Sequence, residues 1–138
     1  MIALDTSVRV AALVPNQAYS KESGELLHGE KVAVSAYALV ETFSTLTGGK
    51  LSVRLSPDDA TELIRSRVLS VAKPIEFKSD DLIAAFTEAK ARGVRGGAIY
   101  DYLHLVAARK AHAMTIFTLN FKDFRSFRRP GDPAIHHP

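Results

Sequence analysis

The 138 residues include no cysteine and no tryptophan. Without cysteine there is no disulfide framework, no thiolate zinc or iron–sulfur site and no cysteine nucleophile. That absence fits a reducing compartment. No apolar run approaches the ~20 residues that cross a bilayer, so no membrane role is expected. The opening residues, Met1 to Asp5, carry no basic flank and reach an acid almost at once. The expectation is a chain without a secretory leader and a cytoplasmic setting. Internal repeats, low-complexity segments and linker-like stretches are lacking too. Acidic side chains are scarce in one region: residues 89–129 hold nine Lys and Arg but only two acids, Asp101 and Asp123.

What is present is an ordinary globular mixture, 46% hydrophobic and 24% charged. A chain of this length is expected to form one domain, residues 1–138, with a core large enough to need no staples. The basic segment points to a polyanion such as nucleic acid, or else to a solvated basic surface.

Short apolar runs alternate with helical patterns. Ile2-Ala3-Leu4 reads as a buried strand ending at Asp5-Thr6-Ser7, with Thr6 or Ser7 capping the helix that follows. Val8 to Val14 is apolar apart from Arg9. Residues 17–29 carry a helical stripe that Gly29 would stop. Lys31–Ser35 reads as a second strand, with Ser35 capping a helix from Ala36 to about Thr47. Ser56-Pro57-Asp58-Asp59 is a helix start, with a cap, an N-terminal proline and acids in the first turn. Pro74–Phe77 reads as a short strand, Ser79-Asp80-Asp81 as a helix start and Ile99–His112 as a helix. Thr115–Leu119 reads as a strand and Asn120–Arg129 as a basic turn or short helix. Phe121, Phe124 and Phe127 within it fit a core stripe better than a base-stacking set. Residues 130–138 are a tail that would supply at most an edge strand. The alternation predicts an α/β domain with a central parallel sheet of four to five strands flanked by helices, and a site at the strands' carboxyl ends.

Several oxygen-bearing side chains map to that edge. Asp5 stands where the first strand ends. Glu41 is the only charged residue between Ser35 and Leu46. Asp101 lies in the first turn of its helix, the only acid between Glu88 and Asp123. Asn120 and Asp123 follow the strand Thr115–Leu119. Each has an ordinary structural explanation, such as a cap, a favourable place beside a helix N-terminus or a surface pair. Together they form the clustered oxygen set that hard divalent cations take. His104, three residues after Asp101, suits a hard cation poorly and reads as structural or peripheral. His28 and His112 lie near helix ends.

Four pieces, Ile2-Ala3-Leu4-Asp5-Thr6-Ser7, Leu39-Val40-Glu41-Thr42-Phe43, Gly97-Ala98-Ile99-Tyr100-Asp101 and Thr118-Leu119-Asn120-Phe121-Lys122-Asp123-Phe124, occur in an order and at separations that resemble the PIN domain. Within that family the chain resembles the small VapC-like toxins of type II toxin–antitoxin modules. The resemblance spans nearly the whole chain. It implies a Mg²⁺-dependent endoribonuclease, with Mn²⁺ as a substitute, that hydrolyses RNA and leaves 5′-phosphate and 3′-hydroxyl ends. Asp5, Glu41 and Asp101 match the family's acidic ligands, and Thr6 and Thr118 match hydroxyl positions near them. The family's fourth acid usually stands where this chain has Asn120, so Asp123 is expected to supply the missing carboxylate. One tight metal, and a second recruited with the substrate, would follow. Arg92, Arg95, Lys122, Arg125, Arg128 and Arg129 are the expected phosphate contacts. The resemblance also implies an RNA substrate, a VapB-like antitoxin and a homodimer; the apolar helices around 36–47 and 57–70 are the expected contact surface. A catalytically weakened PIN-like nucleic-acid-binding module is the alternative that Asn120 favours. A receiver-like phosphoacceptor ranks below both, since no second strand ends in an acceptor.

Overall fold

Three apolar residues are enough for a central strand when both of its faces are covered. In the computed structural model, which describes residues 1–138, strand β1 (Ile2–Leu4) is buried at every position. Alternation along it sends Ile2 and Leu4 into one core and Ala3 into another. The first core also holds Val8, Leu46, Ile64 and Val68; the second holds Tyr102, Leu105, Ile116, Phe124 and Phe127. Helices therefore cover both faces of the sheet.

After β1 come helices α1 (Thr6–Leu13) and α2 (Ser20–Gly29), then strand β2 (Val32–Ser35) and helix α3 (Ala38–Thr47). Helix α4 (Pro57–Leu63) runs on through a wider π-type segment, Ile64–Leu69, into strand β3 (Ala72–Ile75). Helices α5 (Ser79–Arg92) and α6 (Ala98–Lys110) lead to strand β4 (Thr115–Phe117), helix α7 (Phe121–Phe127) and strand β5 (Ala134–His136). The strand order is β3-β2-β1-β4-β5, and every neighbouring pair is parallel. This is the α/β architecture expected, with five strands. The chain leaves β1 towards β2 and comes back on the other side as β4. The carboxyl ends of β1 and β4 thus border the topological switch point, where such sheets bind ligands.

Local chemistry moves several boundaries. Of the three candidates at this turn, Asp5 rather than Thr6 or Ser7 caps α1, the structural role already open to it from the sequence: its Oδ1 accepts from the Val8 N–H at 3.0 Å. Ser35 does not cap α3. It ends β2 with its hydroxyl buried and unpartnered, and the helix begins at Ala38. Strand β3 runs over Ala72–Ile75, not Pro74–Phe77; Pro74 is tolerated because β3 is an edge strand. β4 ends at Phe117, which leaves Thr118 and Leu119 in the turn beyond it. The tail does add an edge strand, β5, with Thr115 opposite Ala134. Phe124 and Phe127 are buried as the core stripe requires, while Phe121 is half-buried under the Arg125 guanidinium.

Candidate active site

The centre of the site is the turn that joins β1 to α1. An Asp at a helix N-cap accepts from the backbone and is drawn to the helix's positive end. Asp5 is 2% exposed, and both of its oxygens are engaged. Oδ1 accepts from Ser7 Oγ at 2.6 Å as well as from the Val8 N–H, and Oδ2 accepts from Thr118 Oγ1 at 2.7 Å. Thr118 is fully buried and its Oγ1 in turn accepts from the Asn120 N–H at 2.9 Å. Ser7 Oγ accepts from the Leu119 N–H at 3.0 Å. Two turns more than a hundred residues apart are thereby tied around one carboxylate.

Glu41 reaches the same place from α3. Because that helix starts at Ala38, Glu41 sits in its first turn. Its Oε1 is buried without a hydrogen-bond partner, and His104 Nε2 stands 3.4 Å away. Asp101 arrives from the first turn of α6. Burial raises its carboxyl above the usual range; the negative charges of Asp5, Glu41 and Asp123 push the same way, while His104 opposes them. Asp101 therefore feels all three other carboxylates. Asp123, exposed on α7, shares with Asp101 a cavity of about 270 Å³ lined also by Gly97, Ala98 and Ser126. Asn120 is exposed at the N-cap of α7, and its side chain makes no capping bond.

Three further residues belong to the site. Ser7 bonds directly to Asp5, as above. His104 is buried between Glu41 and Thr6, with Nε2 at 3.3 Å from Thr6 Oγ1 and Nδ1 unpartnered. Of the structural and peripheral roles open to it from the sequence, its burial fits the structural one; the i, i+3 spacing from Asp101 was the signal for its place. Arg9 is fully buried and donates from Nη2 to Thr6 Oγ1 at 3.1 Å and to the Ala38 carbonyl at 3.4 Å. Its signal was a lone charge in an apolar helix.

The six basic residues divide by environment. Arg95, Lys122 and Arg125 are exposed. Arg92, Arg128 and Arg129 hold the chain itself together. Arg92 pairs with Asp132 and donates to the Phe127 carbonyl. Arg128 donates to the Pro133 and Asp132 carbonyls, and Arg129 to those of Ala91 and Ser126. Arg92 and Arg128 fasten the tail that carries β5, and the Arg129 side chain ties α7 to α5. On the other rim, Tyr37 and Tyr100 stack at 5.8 Å between ring centres, 9° from parallel, and line a cavity of about 340 Å³ with Glu41.

The donor set fits a hard divalent cation. It is all oxygen apart from His104, and Glu41 Oε1 is buried without a hydrogen bond, its charged neighbour being His104 Nε2 at 3.4 Å. As the side chains stand, no group of three or more His, Asp or Glu is placed to hold a metal ion. A Mg²⁺ ion asks for less, since it keeps several waters and takes one or two carboxylates directly. No helix is long and apolar enough to cross a membrane.

Comparison with known proteins gives a consistent picture. The PIN domain family model matches residues 2–130. Ribonuclease VapC27 of Mycobacterium tuberculosis is 31% identical over 113 residues, which cover 81% of this chain and 80% of that protein. Among solved structures, VapC20 of Mycobacterium tuberculosis, a sarcin–ricin loop cleaving toxin, superposes with a TM-score of 0.72 at 16% identity, covering 96% of this chain and all of that one. VapBC2 of Rickettsia felis, bound to a fragment of its promoter DNA, matches with a TM-score of 0.69 at 22% identity, over 100% of this chain and 99% of that chain. At those identities the structural matches speak for the fold.

Proposed function

This chain belongs to the PIN-domain family, and on that premise we propose that it is a metal-dependent endoribonuclease acting as the toxin of a toxin–antitoxin pair. The observation that carries this reading is that Asp101 and Asp123 line one cavity while Glu41, through His104 and Thr6, stands beside the turn of Asp5, all at the switch point of a parallel sheet. The relative that is 31% identical is a ribonuclease, which supports the same activity.

One or two of Asp5, Glu41 and Asp101 would hold the ion directly, and the others, with Asp123, through water. Mg²⁺ is the proposed ion and Mn²⁺ a substitute. When bound, such a cation polarises the scissile phosphate and lowers the pKa of attacking water. The rest falls to the protein. Thr118 and Ser7 hold the Asp5 carboxylate in one orientation, as supporting hydrogen bonds do for metal ligands generally. Thr6 and His104 fill the space beside Glu41. Arg95, Lys122 and Arg125 attract the phosphate backbone, and the exposed Tyr37 and Tyr100 rings give an unpaired base a surface to stack on. Hydrolysis would leave a 5′-phosphate and a 3′-hydroxyl.

A VapB-like antitoxin is the proposed partner, supported by the fold shared with VapBC complexes. A homodimer is proposed as well. Val40, 62% exposed on α3, and Leu69, 43% exposed after α4, put apolar area on the helices named for these contacts. The deciding experiment is RNA cleavage by the purified chain with Mg²⁺ or Mn²⁺, followed by mapping of the ends. Asp5→Asn and Asp101→Asn should each abolish cleavage and leave the fold intact. Cleavage that persists in both would remove the metal assignment; RNA binding without cleavage by the unaltered chain would leave a nucleic-acid-binding module.

A further inference from the structure

Arg9 is the one fully buried charge on α1, and most of its hydrogen-bonding capacity is unused. Nη2 reaches Thr6 Oγ1 and the Ala38 carbonyl, but Nε and Nη1 are buried with no partner. A guanidinium in that state is costly unless a nearby negative field offsets it. The field here belongs to Asp5 and Glu41, whose charges favour the cationic form of Arg9. Burial lowers the group only to about 10, so it stays charged at neutral pH.

The geometry adds a mechanical role. Thr6 follows Asp5 directly, and Ala38 begins the helix that carries Glu41. One side chain therefore bridges the two backbone segments that deliver the two carboxylates, from the protein side, with no access to solvent. Phosphate contact is excluded by that burial.

We propose that Arg9 is the built-in counter-cation of the acidic site, a positioning residue that holds the α1 and α3 starts together and offsets the repulsion of Asp5 and Glu41 when no divalent ion is bound. The same positive charge opposes the ion, so the site is assembled in advance and binds its metal less tightly than the carboxylates alone would. This rests on the metal-site reading above, but the tests use no RNA and do not depend on cleavage.

Two substitutions separate charge from packing. Arg9→Met keeps an apolar stem and removes the charge; Arg9→Lys keeps the charge. Calorimetric titration with Mn²⁺ should show about tenfold or greater tightening in Arg9→Met, from loss of an opposing charge close by, and near-unchanged affinity in Arg9→Lys. Arg9→Met should melt below the unaltered protein in EDTA and recover with Mn²⁺. Mn²⁺ binding to Arg9→Met no tighter than to the unaltered protein overturns the proposal. Should Arg9→Met fail to fold, the double variant Arg9→Met/Glu41→Gln decides. Offset charges require that removing the Glu41 charge, one of the two that favour the Arg9 cation, restores a folded, cooperatively melting protein in EDTA. A double variant as unstable as the single one makes Arg9 a packing residue and ends the idea.

Discussion

Thr118 Oγ1 donates to Asp5 Oδ2 at 2.7 Å, a bond between residues 113 positions apart that joins the ends of β1 and β4. It is buried, so it orients the carboxylate and replaces the water Asp5 would otherwise bind. Thr118→Val keeps the shape and removes the donor. Cleavage should fall about ten- to hundredfold, the usual loss when a metal ligand's supporting bond is removed. Stability should fall by about 1–2 kcal/mol, since a buried acceptor loses a partner. Thr118→Ser should retain most of both. RNA cleavage rates and thermal melts of the two variants check this.

Divalent ions should stabilise the folded chain, because the proposed site exists only in the folded state. At a hundredfold excess over the dissociation constant the gain is about 2.7 kcal/mol. Differential scanning calorimetry with Mn²⁺ against EDTA measures it. Asp5→Asn should erase the difference; an equal rise in that variant would place the ion elsewhere.

The tail has its own pH dependence. Burial alone would raise the Asp132 carboxyl, but bonds from Arg92 and the Arg129 N–H, with the charges of Arg92 and Arg109, hold it below the ordinary carboxylate range. A lowered carboxyl contributes stability that is fully present above the unfolded value, about 3.9, and lost as pH falls through the folded value. Asp132→Asn should cost about 1.5–3 kcal/mol at neutral pH, the range for hydrogen bonds to a charged group at a partly buried site. Its deficit against the unaltered protein should shrink below about pH 4. Melting temperatures across pH 2.5–7 (a range set by the ordinary carboxylate values) test the sign.

The basic residues should separate in the same way. Arg95→Ala and Lys122→Ala should weaken RNA binding with little effect on melting, each reducing the slope of log affinity against log salt by about 0.7 for a single strand. Arg92→Ala should instead lower the melting temperature through the loss of Asp132's partner. Fluorescence anisotropy in EDTA, where no cleavage proceeds, reads the binding.

Much of the fold was legible in the sequence. Ile2-Ala3-Leu4 and Val32–Ser35 could be read as buried strands because a parallel sheet covered on both faces needs continuous apolar runs. The start at Ser56-Pro57 was legible because its chemistry is local: Ser56 Oγ accepts from the Asp59 N–H at 3.1 Å. Boundaries set by tertiary contacts were not. Ser35 has the chemistry of a cap, yet the backbone turns for two more residues before α3 begins, and a period-based reading has no means of seeing that turn. His104 and Arg9 were both conspicuous as polar residues in apolar helices. Their places depend on α1 packing against α3 and on α6 closing over the other face of the sheet, which no local pattern encodes.

The sequence by itself determined the alternation of strands and helices and the acids at the strand ends, because these follow from periodicity and from short-range capping. Only the tertiary structure decided which polar groups meet. Asp5 acquires Thr118, Glu41 acquires His104, and Arg92 acquires Asp132 across separations of 113, 63 and 40 residues. Such pairings are set by how the helices close over the two faces of the sheet. Burial then gives each one its energetic weight, since a charge removed from water must find its partner inside the fold.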